Sequence, residues 1–406
     1  MERAYEKLIR YAKVHTKSDE NSTATPSTAI QFDLAKLLEK ELREMGASDV
    51  VLTDTCDVYA KIPATKGMEK KAKVGFIAHV DTSPDFSGKN VKPILHENYD
   101  GKDIVLPLCN RVISVSDFPA LKEKVGKTIL TASGDTLLGS DDKAGIAEIM
   151  VLCERLLNED IPHGTVCVAF TPDEEVGRGT ESFDIGQFGA DFAYTLDGGA
   201  VGEVVSENFN AASASVTVHG VNVHPGSAKD IMVNACLVAM ELNALLPAGA
   251  IPAKTTGYEG FFHLNGMEGN VEQAKLHYIL RDHDLKKLRE KEKVFRSAVA
   301  AINGRYGAGT VEAKIKEGYR NMREELDKHP EVVEAAMRAT EKLGITPITT
   351  PIRGGTDGAN LTNAGLPCPN LGTGSAGFHG PMEHSVVEDM DLSVEALLGI
   401  LKETIA

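Results

Sequence analysis

The stretch FIAHVDTSPDF, residues 76–86, decides how this chain is read. An apolar run ends abruptly in His79 and then, past Val80, Asp81. A strand bound for the core has no packing reason to finish on an imidazole and a carboxylate. At the two-residue repeat of a strand both side chains can face the same way, so Asp81 can orient His79. Taken alone, the pair reads equally as a satisfied polar pair at a strand end or as the start of a metal site.

Neighbouring apolar runs end in the same manner. GTVCVAFTP (164–172) leads into Asp173, Glu174 and Glu175, and ADFAYTLDG (190–198) reaches Asp197. GSDDKAG (139–145) sets Asp141 and Asp142 in a loop that opens a helix, and His379 lies in GFHGPMEH near the other end. The β-rich runs DVVLTD, VYAKIP and KVGFIAHV alternate with helical spacing over 2–13, 29–45 and 143–158, the second stopping at Gly46. That alternation predicts an α/β core with a mostly parallel sheet. Ligands of such sheets bind at the carboxyl ends of the strands, where these polar residues fall.

From about 211 the texture changes. ASASVTVHGVNVHP alternates as a half-buried strand does, a helix is predicted over 227–246, and strands near 259–265 and 272–281 follow. A charged helix over 284–303 and the strand TVEAKIKEGY complete a β-α-β-β-α-β order, the α+β ferredoxin-like pattern. The expected organisation is a discontinuous first domain, 1–209 and 321–406, with a second domain, 210–320, inserted in it.

Composition narrows the function classes. The charge is −16, and no basic run tracks phosphates, so nucleic acid is not an expected partner. No stretch approaches 18 uncharged apolar residues, so no membrane span is expected. The charged, amphipathic start lacks the apolar core of a secretory signal, and a cytoplasmic location is the expectation. The six cysteines are scattered without a CxxC pair, several in apolar runs, which argues for buried thiols and against a cysteine zinc site.

Each polar cluster has a structural alternative. Asp141-Asp142 could be a helix N-cap, Glu174-Glu175 a surface turn, Asp197 a turn residue before Gly198-Gly199, and His379 part of a Gly-Pro loop. Together they form an N/O donor set without cysteine, which suits Zn²⁺, Mn²⁺ or Co²⁺. Two ions about 3.5–4 Å apart need a bridging carboxylate and further ligands on each side. A hydrolase also needs a carboxylate near the ions but not on them, to act as general base.

The phrases SDENSTATPST, IAHVDTSPD, GSDDKAGIAEIM, TPDEEVGRG, VHPGSAKDIMVNA and PIRGGTDGANLTNAGLPCPNLGTG together resemble the M20 family of dizinc metallopeptidases, over residues 1 to about 385. VHPGSAK, RGGTDGA and LPCPNLGTG are similar, more narrowly, to its tripeptide aminopeptidases. The resemblance implies a zinc-peptidase-like catalytic domain with an inserted lid, and two Zn²⁺ ions per chain for which Co²⁺ or Mn²⁺ may substitute. It implies His79, Asp141, Glu175, Asp197 and His379 as ligands, Asp141 bridging, with His79 and Asp197 on one ion and Glu175 and His379 on the other.

It further implies Glu174 as the base that activates the bridging water, and Asp81 as the partner fixing His79. His224 of VHPG would stabilise the oxyanion, and Arg281 and Arg353 would bind the carboxylate end of a small peptide. Against these stand a turn cap for His224 and a salt bridge with Asp282 or Asp284 for Arg281. His384 in HGPMEHS is a second candidate for the last ligand, and the His-x-x-x-Glu frame from His379 to Glu383 favours His379. A lid of this kind often pairs with a second copy in relatives, so a homodimer is compatible with the resemblance. The expected activity is release of the N-terminal residue from tripeptides. A dipeptidase, an N-acyl amino acid deacylase and, more remotely, a non-catalytic metal-stabilised peptide-binding protein are the alternatives.

Overall fold

The structure, a computed structural model, describes residues 2–405. The chain divides into two compact units. The first is built from the chain up to Ser206, Glu324–Thr349 and the chain from Thr356 onward; the second is Glu207–Arg323 with Thr350–Gly355.

The first unit is organised on a seven-stranded sheet. In spatial order its strands are Ser48–Leu52, Val58–Ile62, Val166–Thr171, Val74–His79, Phe192–Gly198, Asn370–Gly372 and Val204–Val205. The four strands from Val166–Thr171 to Asn370–Gly372 run parallel. The outer three pair antiparallel, so the sheet is mixed where the sequence pattern predicted a mostly parallel one. For the first pair the reason is local: Ser48–Leu52 and Val58–Ile62 are joined by the short turn 53–57, and so tight a connection only builds an antiparallel pair.

The central strands are buried on both faces, which is why they read as unbroken apolar runs. Phe76, Ala78, Val168 and Phe170 pack with helices Ala4–Tyr11, Gln31–Met45, Ser140–Asn158 and Val387–Ile405. Ile77, Cys167 and Ala169 pack with Phe188, Leu361 and Leu366 in a separate cluster. Helix Gln31–Met45 ends at Gly46, which takes the left-handed conformation (φ 94°) of a C-terminal cap. A smaller sheet orders Ser375–Ala376, His384–Val386, Ile129–Thr131 and Ile94–His96, and the loop between its first two strands carries His379.

The second unit has the predicted β-α-β-β-α-β element order: Asn210–His219, Ala235–Ala244, Phe261–Gly269, Gln273–Asp282, Leu285–Tyr306 and Val311–Glu317. Its sheet is antiparallel, ordered Phe261–Gly269, Gln273–Asp282, Asn210–His219, Val311–Glu317. The helix predicted over 227–246 is shorter than expected. Asn234 caps it by accepting from the N–H groups of Cys236 and Leu237, while Val233 is drawn into a backbone pair with Val221.

Gly145 shows why the GSDDKAG stretch needs its glycine. A Cβ there would lie 2.1 Å from the carbonyl oxygen of Leu196, so helix Ser140–Asn158 touches strand Phe192–Gly198 backbone to backbone, one residue before Asp197. Gly145→Ala should force the two apart and cost about 1–3 kcal/mol. Urea unfolding checks this; a wild-type midpoint would mean the contact is loose.

Candidate metal centre

Three parallel strand ends and two loops of the first unit converge here. His79 ends its strand, Asp197 is the penultimate residue of strand Phe192–Gly198, and Glu174-Glu175 follow Val166–Thr171 in a single 3₁₀ turn. Asp141 and Asp142 open helix Ser140–Asn158 with non-helical dihedrals, so regular helix begins after them, as predicted. The peptide between them is cis.

Nε2 of His79 lies 3.0 Å from Asp141 Oδ1 and 3.5 Å from Asp197 Oδ1. Nε2 of His379 lies 3.3 Å from Asp141 Oδ2 and 3.0 Å from Glu175 Oε2. Two groups result, His79–Asp141–Asp197 and Asp141–Glu175–His379, each with donor atoms within 4.8 Å of one another. Asp141 belongs to both, one oxygen turned to each histidine. His384 is elsewhere: it is buried in the smaller sheet, its Nδ1 on the Met382 carbonyl oxygen at 2.9 Å and its ring edge-on to Phe118.

The donor sets fit divalent cations. Each pairs one imidazole with two carboxylates, a hard N/O set. Glu175 Oε1 is buried without a hydrogen-bond donor among the described residues, an arrangement that is costly unless a cation answers it. Electrostatics say the same. Burial and the charge of Asp141 push Asp197 up to about 7, and burial foremost pushes Glu175 up to about 7. Burial also acts to raise Asp141, but His379 and His79 outweigh it and hold that carboxyl below the usual range.

Glu174 stands apart from both groups. Burial, with the charge of Asp197 adding to it, raises its pKa well above the ordinary carboxylate value. It lines a small cavity with His79, Asp142, Thr171, Asp197 and Asp357.

Carboxylates that hold no donor position brace the ones that do. Asp81 is fully buried; Oδ1 lies 3.2 Å from His79 Nδ1, and its two oxygens accept from the N–H groups of Glu174 (3.1 Å) and Glu175 (3.2 Å). Asp142 accepts from the N–H of His79 at 3.1 Å. Asp173, in a left-handed conformation (φ 58°), is held by the Ser27 N–H and the Gln31 amide, each at 2.7 Å. Glu383 accepts from the N–H groups of Leu138, Gly139 and Asp141 and from Ser140 Oγ, all at 2.7–2.9 Å.

Two of these residues escaped the sequence reading. Glu383 entered it only as a spacing marker for His379. Asp357, which accepts from Thr171 Oγ1 at 2.9 Å, lies in the RGGTDGA phrase that drew attention to Arg353 instead.

The three remaining predicted residues lie in the second unit. His224 is exposed, and its Nδ1 accepts from the N–H of Gly226 at 3.1 Å, so the proton of its neutral ring sits on Nε2. Among the described residues Arg281 donates from Nη1 only, to the carbonyls of Ala212 and Leu280, and its guanidinium lies over Tyr319. The salt bridge weighed for it is not formed with Asp282, which pairs instead with Lys291. Arg353 donates from Nη1 to the carbonyls of Gly257 and Glu259 and from Nη2 to the carbonyl and hydroxyl of Thr255, and its guanidinium covers Phe209 and Phe261. Four of its five N–H donors are thus used inside the unit.

Glu383→Gln should turn an NH₂ towards donors and strand at least one of them. The expected cost is about 1–3 kcal/mol, read as a lower urea midpoint of the metal-free chain. An unchanged midpoint would show that the 138–141 loop stands without it.

Comparison with known proteins identifies the family. Residues 137–403 match the model of peptidase family M20/M25/M40. The chain is 51% identical over 405 residues, 99% of each chain, to a protein named Peptidase T of Alkaliphilus oremlandii, and 49% identical over 404 residues, again 99% of each, to one of Clostridium novyi. In fold it is similar to the crystal structure of aminopeptidase PepT from Bacillus cereus, with a TM-score of 0.78 at 23% identity over 100% of this chain and 98% of that one. On the family model and on its identity to these relatives, the chain belongs to the M20 peptidases.

Proposed function

We propose that this peptidase is a dizinc aminopeptidase that releases the N-terminal residue from tripeptides. The observation that carries the reading is the pair of donor groups sharing Asp141, with Glu174 beside them but in neither. Its relatives' name, Peptidase T, supports the substrate class. Zinc suits the donor set, and Co²⁺ or Mn²⁺ could take its place. The β-α-β-β-α-β unit would serve as an inserted ferredoxin-like lid. No helix among the described residues is long and apolar enough to cross a membrane, and the six unpaired cysteines suit the reducing cytoplasm.

When bound, two divalent ions supply Lewis acidity to the scissile carbonyl and to the attacking water. His79, Asp141 and Asp197 would hold one, and Asp141, Glu175 and His379 the other. Glu174 takes a proton from the water as its oxygen bonds the carbonyl carbon, and returns it to the amine nitrogen as the C–N bond breaks. Asp81 keeps Glu174 in place through the backbone of the 174–175 turn and orients His79. His224, with its proton on Nε2, is the donor we assign to the oxyanion. Arg281 takes the peptide carboxylate. Arg353, committed to the 255–259 loop, would shape that part of the lid rather than pair with substrate.

Metal content and turnover test the proposal together. The purified chain should hold two ions and release free amino acid from an unblocked tripeptide, but not from its N-acetylated form or from the matching dipeptide. Cleavage of the dipeptide or of an acylated substrate instead would keep the site and overturn the substrate. Glu174→Gln should retain both ions while kcat falls by about 10²–10⁴-fold, the usual range for a general base; near-normal turnover would remove Glu174 from that role.

A further inference from the structure

His379 is the least enclosed of the five candidate ligands. Its side chain is 46% exposed, against 2% for His79. Its backbone is tightly constrained. It adopts a left-handed conformation (φ 62°) in a loop where a Cβ on Gly377 would lie 2.6 Å from the carbonyl oxygen of Met382. The ring is another matter. An exposed imidazole retains side-chain freedom, whereas a ligand must present one nitrogen in one direction.

The two faces of the ring are differently occupied. Nε2 looks towards Asp141 and Glu175, and Nδ1, on the opposite edge, lies 3.5 Å from Oδ2 of Asp85. His79 repeats the pattern, with Nε2 towards Asp141 and Asp197 and Nδ1 towards Asp81. Asp81 and Asp85 bracket one short segment, DTSPD. That segment is anchored: Thr82 donates its N–H to Thr16 and accepts that of Ser18, and Ser83 Oγ accepts the N–H of Asp85. Asp81 has a second task on the backbone of Glu174 and Glu175. Among the described residues the carboxylate of Asp85 meets only His379.

We infer that Asp85 is a positioning residue for His379. Its carboxylate accepts from Nδ1–H, which fixes the tautomer and the ring angle and leaves Nε2 as the donor atom. A single five-residue segment then sets both imidazoles of the centre. The inference rests on the reading of Asp141, Glu175 and His379 as one metal group.

The test reads metal affinity rather than turnover. The full chain, loaded with two equivalents of Zn²⁺, is titrated with a chromogenic chelator, and Asp85→Ala, Asp85→Asn and Asp85→Glu are compared with the wild type. Asp85→Ala should weaken one ion by about 10–100-fold and leave the other unchanged. Asp85→Asn, which still accepts a hydrogen bond, should fall between, and Asp85→Glu should recover part of the loss. Thermal unfolding of the metal-free variants should match the wild type, because Asp85 is exposed. Release of both ions at wild-type chelator concentrations overturns the inference, as does equal weakening of both, which would mark general damage to the 81–85 segment. A wild-type chain that holds fewer than two ions fails before any variant is made; that result removes the metal reading itself and this inference with it.

Discussion

One buried carboxylate ties the centre together. Asp81 faces the imidazole of His79 with one oxygen and takes the backbone N–H groups of Glu174 and Glu175. A donor-bearing strand end and the loop of the base are thereby fixed to a single side chain. Burying a carboxylate is expensive unless hydrogen bonds answer it, and here backbone amides do so. Asp142 and Glu383 are answered in the same way. The protein thus satisfies its bracing carboxylates internally and leaves Asp141, Glu175 and Asp197 facing two imidazoles and one another. A pocket so arranged suits positive charge, and its geometry divides its donors into two groups.

Much of this was legible in the sequence. His79, Glu174-Glu175 and Asp197 announce themselves because each interrupts or closes an apolar run, and a polar residue at the end of a buried strand has few bland explanations. The β-α-β-β-α-β order was equally readable, since its alternation differs in period from the runs around it. What periodicity could not show was the partner of each group. Glu383 is 242 positions from the Asp141 N–H that it accepts, and nothing local marks such a contact. The antiparallel hairpin at the sheet's edge depended on how short the 53–57 turn is, not on residue type. The hold of Arg353 on the 255–259 loop was equally illegible, because a glycine-rich neighbourhood suggests access to a ligand and says nothing of acceptors about 95 positions away in the chain.

That use of Arg353 bears on how the second unit can be handled as a piece of protein. The unit is not one continuous insertion: Thr350–Gly355 returns to it after the chain has left at Arg323, with Ile352 donating its N–H to Glu207 and Arg353 clasping the 255–259 loop. Two cuts therefore do not excise it. A fragment of Glu207–Arg323 would leave Phe209 and Phe261 uncovered and the carbonyls of Thr255, Gly257 and Glu259 without their donor. The unit is stitched to its host at four points along the chain, so it cannot be exchanged between relatives as a cassette unless a six-residue thread from far downstream travels with it.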